Sequence, residues 1–224
     1  MARRRTASNQ IAASSDLGPT TKELLIAAAV AEFSREGLAG ARVDEIAAAA
    51  KVNKQLVYHY FGSKEGLYLA ALESVYAQIR EKERTLHLTE LEPVEAMREL
   101  VGFSFDYLAE HPEFIALLTD ENRQHGSHIR NSVRLRNMHS RFIEMLTTTL
   151  QRGIKLGLFR GDLDPVNLYI SIAGISYFFF SNNHTLSGIF GKRLSSRSAR
   201  AQRRQHVIKF ALEALRPEVG GGRS

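Results

Sequence analysis

The sequence predicts an all-α chain, and three observations carry that reading. Apolar residues recur three and four positions apart in one stretch after another, as in Leu25, Ile26, Ala29, Val30 and Phe33. No stretch alternates apolar with polar residues convincingly enough to be a strand. Helix punctuation falls where those periods begin and end, at Gly37, Ser63, Pro93, His111-Pro112 and Asp164-Pro165.

Taken in order, residues 1–18 are rich in Arg, Ser and Ala, lack periodicity and run into Gly18-Pro19, which predicts a disordered basic arm. Its Arg3, Arg4 and Arg5 suit either a minor groove or a solvated tail. A first helix is expected from Thr21 to Glu36, stopped by Gly37. A short second helix follows, with Val43, Ile46, Ala47 and Ala50 as a narrow buried stripe. After a break at Lys51-Val52-Asn53, Asn53 is the expected cap of a third helix. Ser63 then caps a fourth, which carries Leu67, Leu72, Val75, Tyr76 and Ile79 past Glu83.

Pro93 opens the next helix at its tolerated first turn, and His111-Pro112 divides it from another that runs to about Arg123. Gln124 to Ser127 reads as a turn before a long helix from His128 to about Arg152. Asp164-Pro165 starts a helix, Val166 to Phe180, that is apolar on nearly every side and must therefore be covered on every side. A final helix is expected from about Arg197 to Leu215, with Ala201, His206, Val207, Phe210, Ala211, Ala214 and Leu215 on one face, before a frayed Gly220-Gly221-Gly222 tail.

The stretch from Val43 to Leu67 carries the chemistry. At about 100° per residue, Leu56, Val57, Tyr60 and Phe61 fall on one side of the third helix, where they form core. Lys54, Gln55, Tyr58 and His59 fall on the other. A cation, an amide, a phenol and an imidazole without an acid suit hydrogen bonds to base edges and phosphates. Two short helices across a three-residue break form helix-turn-helix geometry, although a helical corner in any all-α protein has the same outline.

The series Thr21 to Glu36, Gly37, Val43-Asp44-Glu45-Ile46-Ala47, Val52-Asn53-Lys54, Leu56 to Phe61 and Ser63-Lys64-Glu65 resembles the N-terminal domain of the TetR family of transcriptional regulators. The likeness covers roughly residues 20 to 70. Two positions depart from the family pattern: Lys51 stands where a turn glycine is usual, and Arg42 where a capping Thr or Ser is usual. The resemblance implies a three-helix DNA-binding domain over residues 19–79, followed by a helical ligand-sensing and dimerisation domain over 80–224. It makes Arg42, Asn53, Lys54, Gln55, Tyr58, His59 and Lys64 the candidate DNA contacts. Gln55, Tyr58 and His59 would reach bases, while Arg42, Lys54 and Lys64 would hold phosphates. It further implies a homodimer through the last two long helices, about 165–181 and 197–215, that reads a palindromic operator. The implied effector pocket lies among the middle helices, with Phe103, Tyr107, Asn122, Arg123, His125, His139, Phe142 and Tyr177 as its candidate lining. The function implied is a ligand-responsive regulator, in the family's commoner mode a repressor, located in the cytoplasm and needing no cofactor.

Composition sets the competing readings. At 224 residues, 44% hydrophobic and 24% charged, the chain can bury a real core, and its formal charge of +6 suits an anionic partner. The absence of cysteine removes disulfides, thiolate metal sites and cysteine nucleophiles. An enzyme would need a catalytic set. Gly188 to Arg193 has a Gly-Lys pair but not the spacing of a phosphate loop, and His125 and His128 fall on a turn instead of one helical face. Arg3, Arg4 and Arg5 are not followed by the apolar run of a signal peptide, and Leu168 to Phe180 is too short to span a bilayer. The remaining alternative is unspecific binding of nucleic acid or an anionic surface through Lys192, Arg193, Arg197, Arg200, Arg203 and Arg204.

Overall fold

The structure, a computed structural model, describes residues 19–217. The expected basic arm of residues 1–18 and the glycine tail lie outside the described residues. The described chain forms α1 (Thr21–Gly40), α2 (Val43–Ala49), α3 (Gln55–Phe61), α4 (Lys64–Arg84), α5 (Pro93–Glu110), α6 (Pro112–Arg123), α7 (Val133–Lys155), α8 (Pro165–Ser181), α9 (Asn183–Phe190) and α10 (Arg197–Leu215). The fold is all-α, as expected. No helix among the described residues is long and apolar enough to cross a membrane.

Local chemistry sets these limits. Thr20 and Glu23 form a reciprocal capping box at the start of α1. Gly37 breaks that helix where a stop was expected, with φ 67° and ψ 174°, but one more helical turn follows to Gly40. Ser63 Oγ accepts from Gly66 N–H at 3.0 Å to cap α4, and Asp164 Oδ1 accepts from Asn167 N–H at 2.7 Å to cap α8. Pro93, Pro112 and Pro165 each occupy the first turn of a helix.

Three points of the sequence reading need correction. The long middle helix does not begin at His128, because the buried Glu121 carboxylate takes the N–H groups of His128 and Ile129 at 2.8 and 3.0 Å. The chain instead makes a 3-10 turn over Ile129–Asn131, and α7 starts behind Ser132, whose Oγ accepts from Leu135 N–H at 3.1 Å. Between the two last expected helices, where no element was assigned, lies α9, closed by Gly191 in the left-handed conformation. The inward face of α10 is Val207, Ile208, Ala211 and Leu215, whereas His206, Phe210 and Ala214 point outward. Alanines lie on both sides of this helix, so spacing alone did not fix its orientation.

Two apolar cores result. The first joins α1–α4 around Leu25, Phe33, Ile46, Val57, Leu67 and Leu72, and takes Tyr107, Leu108, Phe114 and Leu117 from α5 and α6. The second, from Leu88 onward, joins α5, α7, α8 and α10 around Met97, Phe105, Leu146, Ile172 and Val207. Ile79 is the last α4 residue in the first core. In the single chain α8 is only partly covered, leaving Val166, Ile170 and Phe178 exposed.

Candidate nucleic-acid interface

The turn between α2 and α3 follows from its backbone bonds. Val52 N–H reaches Ala47 O and Lys51 N–H reaches Ala48 O, both at 3.0 Å, which is a Schellman closure. That closure requires a left-handed residue, and Lys51 adopts φ 56° where glycine would fit without strain. Asn53 then caps α3 as expected, its Oδ1 accepting from Gln55 N–H at 2.8 Å.

Val57 anchors the short helix, being completely buried, with Leu56 and Phe61 packed at the edge of the first core. Burial of a valine of this kind stabilises by roughly 1.5–3 kcal/mol. Gln55, Tyr58 and His59 are all exposed, so the expected polar face is presented to solvent. Tyr60, expected in the core, is 41% exposed. Its angular position is on the apolar side, but a seven-residue helix held chiefly by Val57 leaves the rim open. The Tyr60 ring lies there edge-on between His59 and Phe61, 5.1 and 6.2 Å away.

The expected phosphate contacts surround this face. Lys54 Nζ lies 2.8 Å from Asp44 Oδ1 in an exposed ion pair, whose hydrogen bond lowers the Asp44 pKa and raises that of Lys54. A solvent-screened pair of this kind exchanges readily for a phosphate oxygen. Lys64 Nζ donates to Ala39 O at 3.4 Å, across the gap between the start of α4 and the end of α1. Arg42 flanks α2 without capping it, its guanidinium 3.9 Å from Glu45, while its backbone N–H points to Glu32. Arg42, Lys54 and Gln55 are exposed, and Lys64 is half-buried at the start of α4.

The expected effector residues are distributed differently. Phe103 and Tyr107 pack on α5, with Tyr107 stacked 4.1 Å from the His111 ring and burial raising its pKa to about 12. Tyr177 shares a 2.7 Å hydrogen bond with Thr119. Asn122 is exposed and donates to Leu118 O within its own helix. His125 and Arg123 are exposed as well. His139 and Phe142 on α7 flank a group that spacing did not single out, Arg80 on α4. The Arg80 guanidinium lies 4.3 Å from the Phe142 ring centre and 5.4 Å from that of Tyr169, and it donates to Tyr169 Oη at 3.1 Å. Burial and this cation together lower the pKa of His139. An i,i+3 Arg-Glu pair usually marks a solvated helix face, so only the aromatic residues opposite Arg80 and Glu83 held a hint of their burial.

Phe142 and Arg80 line a cleft of about 410 Å³ between α4 and α7. A larger groove of about 840 Å³, between α1, α4 and α6, is walled by residues such as Ile26, Val30, Gln78 and Pro112 and contains none of the expected effector residues. Its side chains offer no buried unpartnered donor or acceptor for a ligand.

Comparison with known proteins bears on both ends of the chain. Residues 25–71 match the family described as bacterial regulatory proteins, tetR family, and residues 93–210 match the tetracyclin repressor-like C-terminal domain. The HTH-type transcriptional repressor NicS of Pseudomonas putida is 39% identical over 196 residues, spanning 88% of this chain and 92% of NicS. The HTH-type transcriptional repressor KstR2 of Mycobacterium tuberculosis is 30% identical over 146 residues, 65% of this chain and 72% of KstR2. Among solved structures, a transcriptional regulator of Streptomyces coelicolor superposes with a TM-score of 0.65 at 26% identity, covering 88% of this chain and 98% of that one.

Proposed function

The chain belongs to the TetR family and is a DNA-binding transcriptional regulator, and we propose that it represses as a homodimer whose two α3 helices read a palindromic operator until a small molecule releases them. One observation carries the reading: the buried Val57 anchors α3 in the head while Gln55, Tyr58 and His59 are all exposed to solvent. In this reading Gln55, Tyr58 and His59 meet base edges, while Arg42, Lys54 and Lys64, with Asn53 holding the helix start, set its register on the phosphates.

A head of this size reads few base pairs. Two heads one helical turn apart sum their contacts, which is why a dimer is needed. The exposed stripe of α8 and the outward Phe210 of α10 support the last two long helices as the contact. Effector binding in the body favours a head spacing that does not match successive major grooves. We divide the chain at 79/80 on the ground that Ile79 is the last α4 residue in the first core and Leu88 is the first residue of the second.

The alternative of binding through the C-terminal basic run loses two of its members to internal contacts. Arg204 Nε pairs with Asp106 at 2.8 Å, and Arg203 lies over Phe179. Selection from a randomised DNA pool tests the proposal. Enrichment of one palindrome, bound far more tightly than random duplex, is expected. Equal and steeply salt-dependent binding to every sequence would overturn it in favour of the basic run.

A further inference from the structure

The cleft between α4 and α7 contains an arrangement that stability alone does not explain. The side chains of Arg80 and Glu83 are 8% and 2% exposed, with Nη1 and Oε2 only 2.7 Å apart. That approach is not aligned as a hydrogen bond. Arg80 Nε and Nη1 and Glu83 Oε2 all lack hydrogen-bond partners among the described residues. A buried ion pair offsets its desolvation only when its geometry is good and its remaining donors are satisfied. Here the guanidinium plane is held by Phe142 and Tyr169, and Tyr169 takes Nη2, while the other two nitrogens keep donors to give.

Around this incompletely hydrogen-bonded pair the cleft is mixed in a particular way. Arg84 is occupied by Glu81 at 2.6 Å, but Arg141 at the rim has no ion-pair partner among the described residues. Met138, Phe142 and Met145 form an apolar wall, and the thioethers adapt to the shape of what they cover. A volume of about 410 Å³ is in the range of small-ligand sites.

We infer that this cleft is the effector site and that it takes a small organic carboxylate, with the charge on Arg80, drawn in by Arg141, and the apolar body against Met138, Phe142 and Met145. The inference rests on the reading of the chain as an effector-released regulator. The incoming carboxylate takes the place that Glu83 fills poorly and satisfies the Arg80 donors. Burial has raised the pKa of Glu83 to about 7, so the displaced side chain can accept a proton from solvent instead of remaining a buried anion. Arg80 lies on the helix that begins at the DNA-binding head, and Phe142 and Tyr169 lie on α7 and α8, so occupancy bears on all three.

Calorimetric titration of the full chain with hexanoate and phenylacetate, alongside hexanamide, phenylacetamide and acetate, tests the inference. At least one of the two larger carboxylates should bind saturably, at least tenfold more tightly than its amide and than acetate. Arg80→Met combined with Glu83→Leu should abolish that binding. This pair of changes replaces a buried ion pair by apolar groups of similar size, which folded proteins tolerate. Arg141→Ala, an exposed change, should weaken carboxylate binding several-fold and leave the amides unaffected. Failure of both carboxylates to bind, or equal binding to the double variant, overturns the site. Acetate binding as tightly as the larger acids overturns the apolar wall as part of it. If the chain selects a palindrome yet binds neither acid, the regulator reading stands and this inference does not. If it binds the acids through Arg80 and selects no palindrome, the carboxylate site stands but its role as the effector site of an operator-bound repressor does not.

Discussion

Asp120 of α6 accepts a hydrogen bond from the backbone N–H of Leu38, at the bent end of α1, over 2.8 Å. The same Oδ2 accepts from Tyr68 Oη on α4 and from Gln124 Nε2, each at 3.1 Å. At Gly37 an added Cβ would stand 2.9 Å from Asp120 Oδ1, and the residue already has φ +67°, so glycine is required twice over. A single carboxylate therefore ties the C-terminal body to both the bend before α2 and the helix behind α3. It is one of the polar links between the head and the rest of the molecule, beside the bond from Ser132 Oγ to Glu73, and it sits among otherwise apolar contacts of α1 with α6.

Asp120→Ala should destabilise the protein by about 1–3 kcal/mol, because the Leu38 N–H and the Tyr68 hydroxyl are left without their acceptor. Asp120→Asn retains one carbonyl oxygen and should cost less. Urea unfolding of both variants checks the order. Equal stability of the wild-type and alanine proteins would mean that water replaces the carboxylate and that it anchors nothing.

Lys51→Gly should raise the stability of the head. The left-handed backbone costs an L-residue roughly 1–2 kcal/mol, partly offset by the larger entropy that glycine loses on folding, about 0.5–1 kcal/mol. A net gain of about 0.5–1 kcal/mol is expected in thermal melts. Lys51→Val, β-branched at the same φ, should lower stability. If glycine destabilises, the lysine makes a contact that outweighs its strain.

Much of this was legible in the sequence because caps and periods are local. Asn53, Ser63, Pro93, Pro112 and Asp164 each act within a few residues of themselves, and each ends or begins a helix as read. What was not legible depends on partners distant in sequence. Glu121 takes the N–H groups that would have started α7 five residues early, and Asp120 meets Leu38 across 82 positions. Arg80 and Glu83 look like a surface pair until α7 and α8 close over them. Tyr60 was misread for the opposite reason: its direction is correct for the core, but the core ends before reaching it.

Gln55→Ala should reduce affinity for the selected operator by about 1–3 kcal/mol and relax the preference at one base position. Lys64→Ala should weaken operator and random duplex alike and reduce the steepness of salt dependence by about one phosphate contact. Binding isotherms on operator variants at several salt concentrations separate the two. An unchanged base preference in Gln55→Ala moves direct readout to Tyr58 or His59.

Glu83 should make stability fall as pH rises between about 4.5 and 7. Its carboxyl titrates near 7 in the folded chain, because burial outweighs the nearby Arg80, and near 4.5 when unfolded. Over that interval the native state holds the extra proton, so the stabilisation is complete below the unfolded value and lost as pH passes the folded one. At about 1.4 kcal/mol per pH unit the loss approaches ~3 kcal/mol. The charged or titratable groups around it are Arg80, Glu81 and Arg84 on α4, Arg141 and His139 on α7, and Tyr107 on α5. The lowered pKa of His139 acts in the other direction, costing stability as pH falls through the imidazole range. The comparison of wild type with Glu83→Gln isolates the carboxyl, since only its share of the slope disappears. Parallel pH profiles for the two proteins would place Glu83 in an ionised, well-paired state.

The outward stripe of α8 argues for a partner of one kind. Val166, Ile170 and Phe178 lie on one side of the helix, and Gly174 continues their four-residue spacing with open space beyond its Cα. Phe210 of α10 is 56% exposed as well. A monomer seldom leaves so continuous an apolar face in water, and two antiparallel helices per subunit bury such a face fully when a second copy adds two more. In the proposed dimer, two-fold symmetry would place each α8 residue at the seam twice, so one substitution would act twice. Phe178→Glu should therefore split the dimer, because each copy would bury a carboxylate without a partner, while the single chain, in which this position is already exposed, keeps its helical content. Phe178→Leu should remain dimeric. Sedimentation velocity reads the mass, and operator affinity should fall by a hundredfold or more in the glutamate variant, since each head then binds alone. A Phe178→Glu protein that sediments as the wild type does, with unchanged operator affinity, would remove α8 from the interface.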